Sequence, residues 1–249
     1  MQRVTFATFL LFAAASFAQN VIPGGTILPI KLNSSLNSKK SKAGQELSGS
    51  LAQDVPLASG VKIRAGTKLG GHIIAVANAG GGRGARLAFQ FETLHIDRGT
   101  VSLATSLRAI ASMMEVHEAQ LPATGPDRGT PQTAWVTQQI EDDANYHGGW
   151  PVTHGSDVVG KSLLSGGVLV RTSSSPWTPC RDEVDPNDQP QALWVFASNA
   201  CGSYGFADLT IAHAGRTDPV GQIVLVSEGK NIDVRGGSGM LLRVISSTR

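Results

Sequence analysis

The sequence contains few charged residues, two cysteines and, beyond its first eighteen residues, no long apolar run. Charged residues make up 16% of the 249 positions, against about a quarter in typical soluble proteins. The formal net charge is only +2 and no basic stripe is present, which argues against a surface for nucleic acid or anionic lipid. No later stretch approaches the roughly 18 apolar residues of a membrane-spanning helix, so we expect no integral membrane segment in the mature protein.

Glycine, by contrast, is abundant and favours strands joined by tight turns. The chain has 29 glycines, well above the average share of about 7%. Many glycines and few helix-favouring charges are typical of an all-β protein. We therefore predict an antiparallel β-barrel or sandwich with a long irregular insertion.

The N-terminus has the pattern of a secretory signal peptide, residues 1–18. Arg3 precedes an uncharged, mostly apolar run over residues 4–18, which ends in Ser16-Phe17-Ala18 with small residues where a signal peptidase reads. This run is short for a bilayer of about 30 Å. We expect cleavage between Ala18 and Gln19 and a periplasmic or extracellular mature chain; an apolar first strand or helix is the alternative.

The two cysteines, Cys180 and Cys201, are predicted to form a disulfide. An even number of cysteines in an exported chain is typical of pairing, because extracytoplasmic compartments are oxidising. A catalytic thiol working with a histidine is the alternative, but an exposed free thiol tends to oxidise outside the cell.

The clearest structural signal is a β-hairpin in the first half of the chain. Within Arg86–Glu92, apolar and polar residues alternate as in a half-buried antiparallel strand. Asp97-Arg98-Gly99 forms a turn, and the alternation resumes over Thr100–Leu107. The glycine-rich segment 79–84 leads into this strand and not into a helix, so we interpret it as a hairpin loop and not as a phosphate-binding loop.

The chain changes character after residue 111, which suggests three parts in the mature protein. Residues 19–111 form an N-terminal β module, 112–161 a loop-rich insertion, and 162–249 a C-terminal β segment that shares one core with the first module. In the insertion, Thr130-Pro131 and the spaced apolar residues up to Ala144 predict a short amphipathic helix. The last two of the later strands are expected to pair; these strands are Leu163–Arg171, Ala192–Ser198, Asp208–Ala212, Gln222–Ser227 and Met240–Ile245.

A faint internal repeat links residues 22–28 and 63–69. The segments Ile22-Pro23-Gly24-Gly25-Thr26-Ile27-Leu28 and Ile63-Arg64-Ala65-Gly66-Thr67-Lys68-Leu69 match in four positions at an offset of 41. In both, the glycine turns the chain and Thr-x-Leu begins a strand. The repeat marks either two β-hairpin units around one core or a coincidence.

The order of several short motifs in the first half resembles a known barrel. These motifs are Ile22–Leu32, Gly44-Gln45-Glu46-Leu47, Gln53-Asp54-Val55, Ile63–Gly71 and the hairpin that turns at Asp97-Arg98-Gly99. Over about residues 21–110 the chain resembles the C-terminal β-barrel of the TrbI-like conjugal-transfer family, the envelope-spanning component of type IV secretion systems. The resemblance implies a barrel that packs against other envelope proteins. The N-terminal membrane helix and proline-rich linker usual in that family are not seen, so no role in secretion carries over.

Histidine and acidic residues give two candidate patterns for metal binding. His147, His154 and Asp157 could supply three zinc ligands, but their spacing matches no compact zinc motif and ordinary loop histidines are the alternative. The acidic cluster at 182–188, just after Cys180, is rich in oxygen ligands that suit calcium, yet it lacks the alternating ligands and central glycine of an EF-hand. A solvated turn is the competing interpretation, and we predict no cofactor.

The sequence shows no motif that indicates catalysis. A Gly-x-Ser-x-Gly nucleophile elbow is absent, and Gly237-Ser238-Gly239 is interpreted as a turn between two strands. We predict no catalytic residue and a structural or binding role in the cell envelope, with other envelope proteins as partners.

The alternative function is a secreted carbohydrate-binding module or hydrolase that uses residues 112–159 and the Cys180–Cys201 loop. Aromatic side chains can stack on sugars, although core positions are the usual place for them. Trp194, within Ala-Leu-Trp-Val-Phe, is most simply a core residue. The candidate aromatic residues are Trp135, Tyr146, Trp150, Trp177, Trp194 and Tyr204.

If residues 1–18 are a signal peptide, protein recovered from the extracytoplasmic fraction will begin at Gln19 or within a residue or two of it. The reason is that signal peptidase cuts after the small residue that ends the apolar run. Intact mass spectrometry measures the new N-terminus. A membrane-embedded product that retains Met1 would contradict this expectation.

Overall fold

Strands dominate the fold in a computed structural model of the chain, which describes residues 22–57, 59–96, 99–120, 138–140, 143–147, 151–154, 157–161, 167–169, 192–197 and 200–248. These residues include one helix, α1 (Met113–Gln120). The strands, numbered along the chain, are β1 (Ile27–Leu32), β2 (Leu36–Asn37), β3 (Glu46–Leu51), β4 (Val55–Pro56), β5 (Lys62–Ile63), β6 (Lys68–Ala77), β7 (Ala85–Ile96), β8 (Gly99–Ala111), β9 (Gln138–Ile140), β10 (Asp143–His147), β11 (Pro151–His154), β12 (Asp157–Lys161), β13 (Gly167–Leu169), β14 (Ala192–Leu193), β15 (Phe196–Ala197), β16 (Gly202–Tyr204), β17 (Leu209–Ile211), β18 (Ile223–Ser227), β19 (Asp233–Val234) and β20 (Gly239–Thr248).

Six antiparallel strands close into a barrel. Each strand is hydrogen-bonded to the next in the order β8, β20, β1, β3, β6 and β7, and β7 returns to β8. Further strands extend the same sheet: β18 and β17 continue from β7, and β16 runs parallel to the end of β8. The prediction of an all-β protein built on an antiparallel barrel is therefore confirmed.

The barrel interior is filled by apolar side chains from distant parts of the chain. In β7, Leu87, Phe89 and Phe91 are buried while Arg86 is exposed, which is the alternation seen in the sequence. The rings of Phe89 and Phe91 pack edge to face with their centroids 6.0 Å apart. The same apolar cluster contains residues from late in the chain: Leu209, Ile211, Ile223, Leu225, Ile232, Val234, Met240, Leu242 and Val244.

A second apolar cluster covers the outside of the barrel at β8 and β20. From Thr105 to Ala111 every residue of β8 is buried, so both faces of this strand are covered. A hydrogen bond joins this cluster to the loop after β3, because the N–H of Trp194 donates to Oε1 of Gln53 at 2.6 Å. The cluster consists of Ala109, Ala111, Val116, Ala119, Leu169, Trp194, Val195, Phe196, Ala200, Tyr204 and Leu241.

Helix α1 was missing from the predicted elements, although its start is visible in the sequence. The N–H of Glu115 donates to Oγ of Ser112 at 3.2 Å, and the N–H of Val116 donates to the Ser112 carbonyl at 3.0 Å. Ser112 and Glu115 have the Ser-x-x-Glu spacing of a capping box. Eight residues are too few for apolar periodicity to reveal a helix.

The predicted hairpin and its preceding loop are confirmed. β7 pairs with β8 from Thr93 opposite Ser102 to Ile96 opposite Gly99. The turn residues Asp97 and Arg98 lie outside the described residues. The glycine-rich segment joins β6 to β7 as a hairpin loop, in which residues 80 and 83 exchange two backbone hydrogen bonds of 3.0 Å.

The internal repeat is one turn that occurs five times. In each copy the third residue is a glycine with φ between 81° and 93°, and the N–H of the fourth residue donates to the carbonyl of the first at 3.0–3.2 Å. A positive φ at the third position is the type II pattern, which favours glycine. A strand begins two residues after each of these glycines: Gly25, Gly44, Gly66, Gly221 and Gly237.

Four of these glycines also fasten their turn to the neighbouring barrel strand. The N–H of Gly25 donates to the carbonyl of Val244 in β20 at 2.8 Å. The glycines before β3, β6 and β20 bond in the same way to β6, β3 and β1. The repeat is therefore a structural feature and not a coincidence, because it places the start of each of these strands against its partner.

Three predictions about the later segments are wrong. β18 and β20 do not pair with each other, because β20 closes the barrel between β1 and β8 while β18 pairs with β7 and β17. Residues 192–197 form two short strands around a turn at Trp194, whose φ is +60°. The helix expected over Thr130–Ala144 includes residues of β9 and β10, which pair as a hairpin; this pairing overrides the local apolar spacing.

Several predicted features lie outside the described residues. They are the signal peptide with its cleavage site at Ala18 and Gln19, Cys180, the acidic cluster at 182–188, and Trp135, Trp150 and Trp177. Cys201 is buried and its N–H donates to the Tyr204 hydroxyl at 3.1 Å, but the pairing with Cys180 stays a prediction. In the part of the chain that the structure describes, no helix is long and apolar enough to cross a membrane.

Replacing Gly66 with alanine should lower the free energy of unfolding by about 1–2 kcal/mol, because a side chain disfavours positive φ. The penalty is conformational, since a Cβ at Gly66 would meet no atom within 4 Å. Urea denaturation measures the change. Gly80→Ala is the matched control: Gly80 is equally open but lacks a positive φ, so we expect no loss or a gain of up to about 1 kcal/mol. Equal losses in both variants would refute the role assigned to the turn.

Candidate functional site

The two strands of the hairpin separate beyond its turn and leave a fork in the barrel wall. β7 and β8 pair through Thr93–Ile96 and Gly99–Ser102. Further from the turn, Ala85–Phe89 pairs with β18, and the end of β8 pairs with β16. Residues 90–92 of β7 therefore lie between its ladder with β8 and its ladder with β18. Residues 103–108 of β8 lie between its ladder with β7 and its ladder with β16. Both stretches border the gap where the two strands separate. We term this region the β7–β8 fork.

A cavity of about 320 Å³ opens at the β7–β8 fork. Its walls are residues 90–93 of β7, 102–104 of β8, and Val220 and Gly221 on the chain that enters β18. Val220 is 69% exposed and stands at the rim. The volume is at the small end of the range for small-molecule sites, about 300–1,000 Å³.

The cavity has an apolar floor and a polar rim. Phe91 and Leu103 are buried and belong to the core cluster inside the barrel. Gln90 and Glu92 alternate with Phe91 and are half-buried on the outer face. The cavity therefore lies between the covered apolar core and hydrogen-bonding groups at its rim.

A β-bulge gives the rim its polar side chains. Thr93 lies opposite Gly70 and Phe91 lies opposite Gly71, so Glu92 has no opposite residue in β6. A Cβ at Gly71 would lie 1.9 Å from the Gln90 carbonyl oxygen, so glycine is required for this close approach. The bulge brings Glu92 and Thr93 to the same outer surface.

Hydrogen bonds hold the carboxylate of Glu92 at the rim. Its Oε1 lies 3.1 Å from Nδ1 of His72, and its Oε2 accepts a hydrogen bond from Nε2 of Gln90 at 2.7 Å. The His72 and Glu92 side chains are 36% and 44% exposed, so water screens their interaction and it contributes little to stability. Among the lining residues that the structure describes, Glu92 alone carries a formal charge.

A catalytic triad is not assembled from the described residues at the rim. A triad needs one histidine that contacts both an acid and a hydroxyl group. Here His72 contacts Glu92, whereas Nδ1 of His95 lies 3.2 Å from Oγ1 of Thr100. The acid and the hydroxyl group therefore contact different histidines.

The proposed zinc ligands lie on two different sheets. The backbones of His154 and Asp157 face each other across the β11–β12 hairpin. His147 ends β10, which belongs to a separate five-stranded sheet in the order β14, β15, β13, β10 and β9. Their side chains lie outside the described part of the structure. Among the residues that were described, no group of three or more histidine, cysteine, aspartate or glutamate residues could hold a metal ion.

Three of the described aromatic side chains pack against one another in the second apolar cluster. Trp194, Phe196 and Tyr204 form edge-to-face contacts with centroids 6.4 and 6.2 Å apart. Trp194 and Tyr204 are buried, so the core interpretation of Trp194 is confirmed and neither ring can stack on a sugar. Ser238 is also buried, in the turn between β19 and β20, where Gly237-Ser238-Gly239 was expected.

Sequence reasoning missed the fork because its residues are far apart in the chain. His72 and Glu92 meet only through the ladder between β6 and β7, and the sole local signal was the glycine pair beside His72. No protein-family model matches this chain, and a search of curated proteins finds no significant match. The geometry of the fork therefore carries the functional inference.

A surface ion pair away from the fork perturbs one carboxyl group. Oδ2 of Asp54 lies 2.5 Å from Nζ of Lys62, and Oδ1 accepts a hydrogen bond from the N–H of Ala65 at 2.9 Å. These two bonds, the one from Lys62 first, and the nearby charges of Lys62 and Arg64 lower the pKa of Asp54 below its ordinary value of 3.8. The ion pair ties the β4–β5 hairpin to the loop before it.

The Asp54→Asn variant should be less stable than the parent protein near neutral pH and equally stable in strong acid. The carboxylate stabilises the fold above its unfolded-state pKa, and this contribution is lost as the pH falls through the lowered pKa of the folded state. Thermal melting at about pH 7 and about pH 2 measures the two differences in Tm. A difference that stays the same at the acidic pH would rule out the ionised form of Asp54 as its cause.

Proposed function

We propose that the chain is an exported cell-envelope protein whose β-barrel has a binding role, with the β7–β8 fork as its binding site. The observation that carries this proposal is the cavity at the fork, where an apolar floor, a polar rim and two strand edges between ladders meet. Binding sites in proteins are concave and mainly apolar, with a few polar groups that fix the orientation of the ligand. The fork is concave and brings polar and apolar groups together in about equal measure on a closed barrel.

Export is part of the proposal and is supported by the sequence. The charged start, the short apolar run and the small residues before Gln19 favour a cleaved signal peptide. A disulfide between Cys180 and Cys201 belongs with this location, because such bonds persist in oxidising compartments. The buried position of Cys201 is consistent with a structural role for that bond.

Other envelope proteins are the proposed partners. Residues 21–110 resemble the barrel of the TrbI-like family, whose members belong to an envelope-spanning assembly, and this resemblance supports a partner of that kind. The carbohydrate-binding or hydrolytic alternative has less support, because Trp194 and Tyr204 are buried and His72 and His95 contact separate groups.

A photo-crosslinking amino acid at Val220 should capture a partner in the extracytoplasmic fraction, because this side chain stands at the rim of the cavity. The same amino acid at Val61 is the matched control, since Val61 is 52% exposed but lies away from the fork, beside β5. We expect one discrete adduct from position 220 and none from position 61. Denaturing gel electrophoresis and mass spectrometry identify the adduct.

A second variant separates binding from random proximity. Ala104→Trp places a large ring in the cavity and should abolish the adduct from position 220 while leaving the circular dichroism spectrum unchanged. Identical adducts from positions 220 and 61, or recovery of the protein only from the cytoplasm, would refute the proposed function.

A further inference from the structure

We propose that the β7–β8 fork binds a short extended peptide segment, with an apolar side chain toward the barrel core and a basic side chain toward Glu92. The inference rests on the proposed binding role and adds the chemical class of the ligand. Three observations support it. Stretches of β7 and β8 lie between strand ladders, other segments of the chain already pair with the same two strands nearby, and charge is distributed unevenly around the cavity.

The strand edges supply backbone hydrogen-bonding groups. In a strand, the N–H and C=O groups of successive residues point to alternating sides. Residues 90–92 of β7 and 103–105 of β8 therefore each direct at least one amide or carbonyl group into the fork. Within the described residues, the β7–β8 ladder ends at Thr93 opposite Ser102, and no backbone hydrogen bond outside the ladders joins either stretch to residues 220–222. An extended peptide binds such edges by acting as the missing strand.

Next to the stretches that border the fork, β7 and β8 already pair with other segments of the same chain. The N–H of Gly215 donates to the carbonyl of Leu107 at 2.7 Å, and β16 pairs in parallel with the last residues of β8. On the other side, β18 pairs with β7 as far as Phe89. The edges therefore have the geometry for strand addition, and the open stretches are short.

Charge and polarity select the side chains of the peptide. Successive side chains of an extended peptide point to opposite faces, so one faces Phe91 and Leu103 while its neighbour faces Glu92. No basic residue is found among the described residues that line the cavity. A carboxylate has about four acceptor positions, and His72 and Gln90 occupy two of those on Glu92, which leaves room for a lysine or arginine.

The test is an NMR titration of the whole chain with the blocked peptide Ac-Lys-Val-Thr-NH2. We expect saturable shifts of the backbone amides of residues 90–92 and 103–105. Methylation of the valine nitrogen removes one strand hydrogen bond, and glutamate in place of lysine reverses the charge. Each change should weaken binding about tenfold, as expected for the loss of one hydrogen bond or ion pair.

Variants of the protein test the charge separately. Glu92→Gln should weaken binding of the lysine peptide about tenfold while leaving binding of Ac-Gln-Val-Thr-NH2 unchanged. Glu228→Gln is the matched control, because Glu228 is exposed and follows the opposite end of β18. Ala104→Trp should abolish binding of all the peptides. If that variant does not fold, the comparison of the methylated and unmethylated peptides on the unaltered chain still tests the proposal.

Three results would overturn the inference: no saturable shifts at the fork, equal affinity for the methylated and unmethylated peptides, or shifts of the same amides by maltose and not by the peptide. None of these would affect the photo-crosslinking at position 220. A specific adduct there together with any of the three would leave the binding role in place and remove only the peptide assignment.

Discussion

The pairing of β20 with both β1 and β8 holds the molecule together, because it closes the ring around the core. Ile27 lies opposite Arg243, so this contact joins positions more than 200 residues apart. Without β20, the barrel would lose the buried side chains of Met240, Leu242 and Val244 and expose two strand edges. The free-energy cost of closing a loop rises slowly, by about 0.6 kcal/mol for each doubling of its length. The long separation in sequence between α1 and β20 therefore adds little to the cost of closing the barrel.

The fork follows from how this ring closes. β8 stays paired with β20 along Ser102–Ala111, whereas β7 stays paired with β6 along most of its length. Bulges at Glu92 and Arg108 bend the two strands locally, and β18 and β16 occupy the space where the strands part. A gap remains between the last pair of the hairpin and the chain that enters β18. The candidate site is thus a by-product of ordinary sheet geometry that places polar groups over the core.

Local patterns in the sequence predicted the parts of the fold that depend on neighbouring residues. The hairpin was predictable because apolar alternation in Arg86–Glu92 sets which side chains face inward. The repeat revealed only two of the five turns, because it was recognised by threonine after the glycine. Other copies have a different residue there, such as the glutamine that follows Gly44 and Gly221. The partners of β20 and the meeting of His72 with Glu92 depend on ladder register, and a one-residue bulge cannot be read from alternation alone.

The late position of β20 also determines when the protein can acquire its shape. β1 emerges from the ribosome roughly 10–40 s before residues 239–248 at about 5–20 residues per second. During that time the first strand has no permanent neighbour on one side, and the ring stays open. The barrel of a nascent chain can therefore close only once residues 239–248 are available, more than 200 residues after its first strand was made.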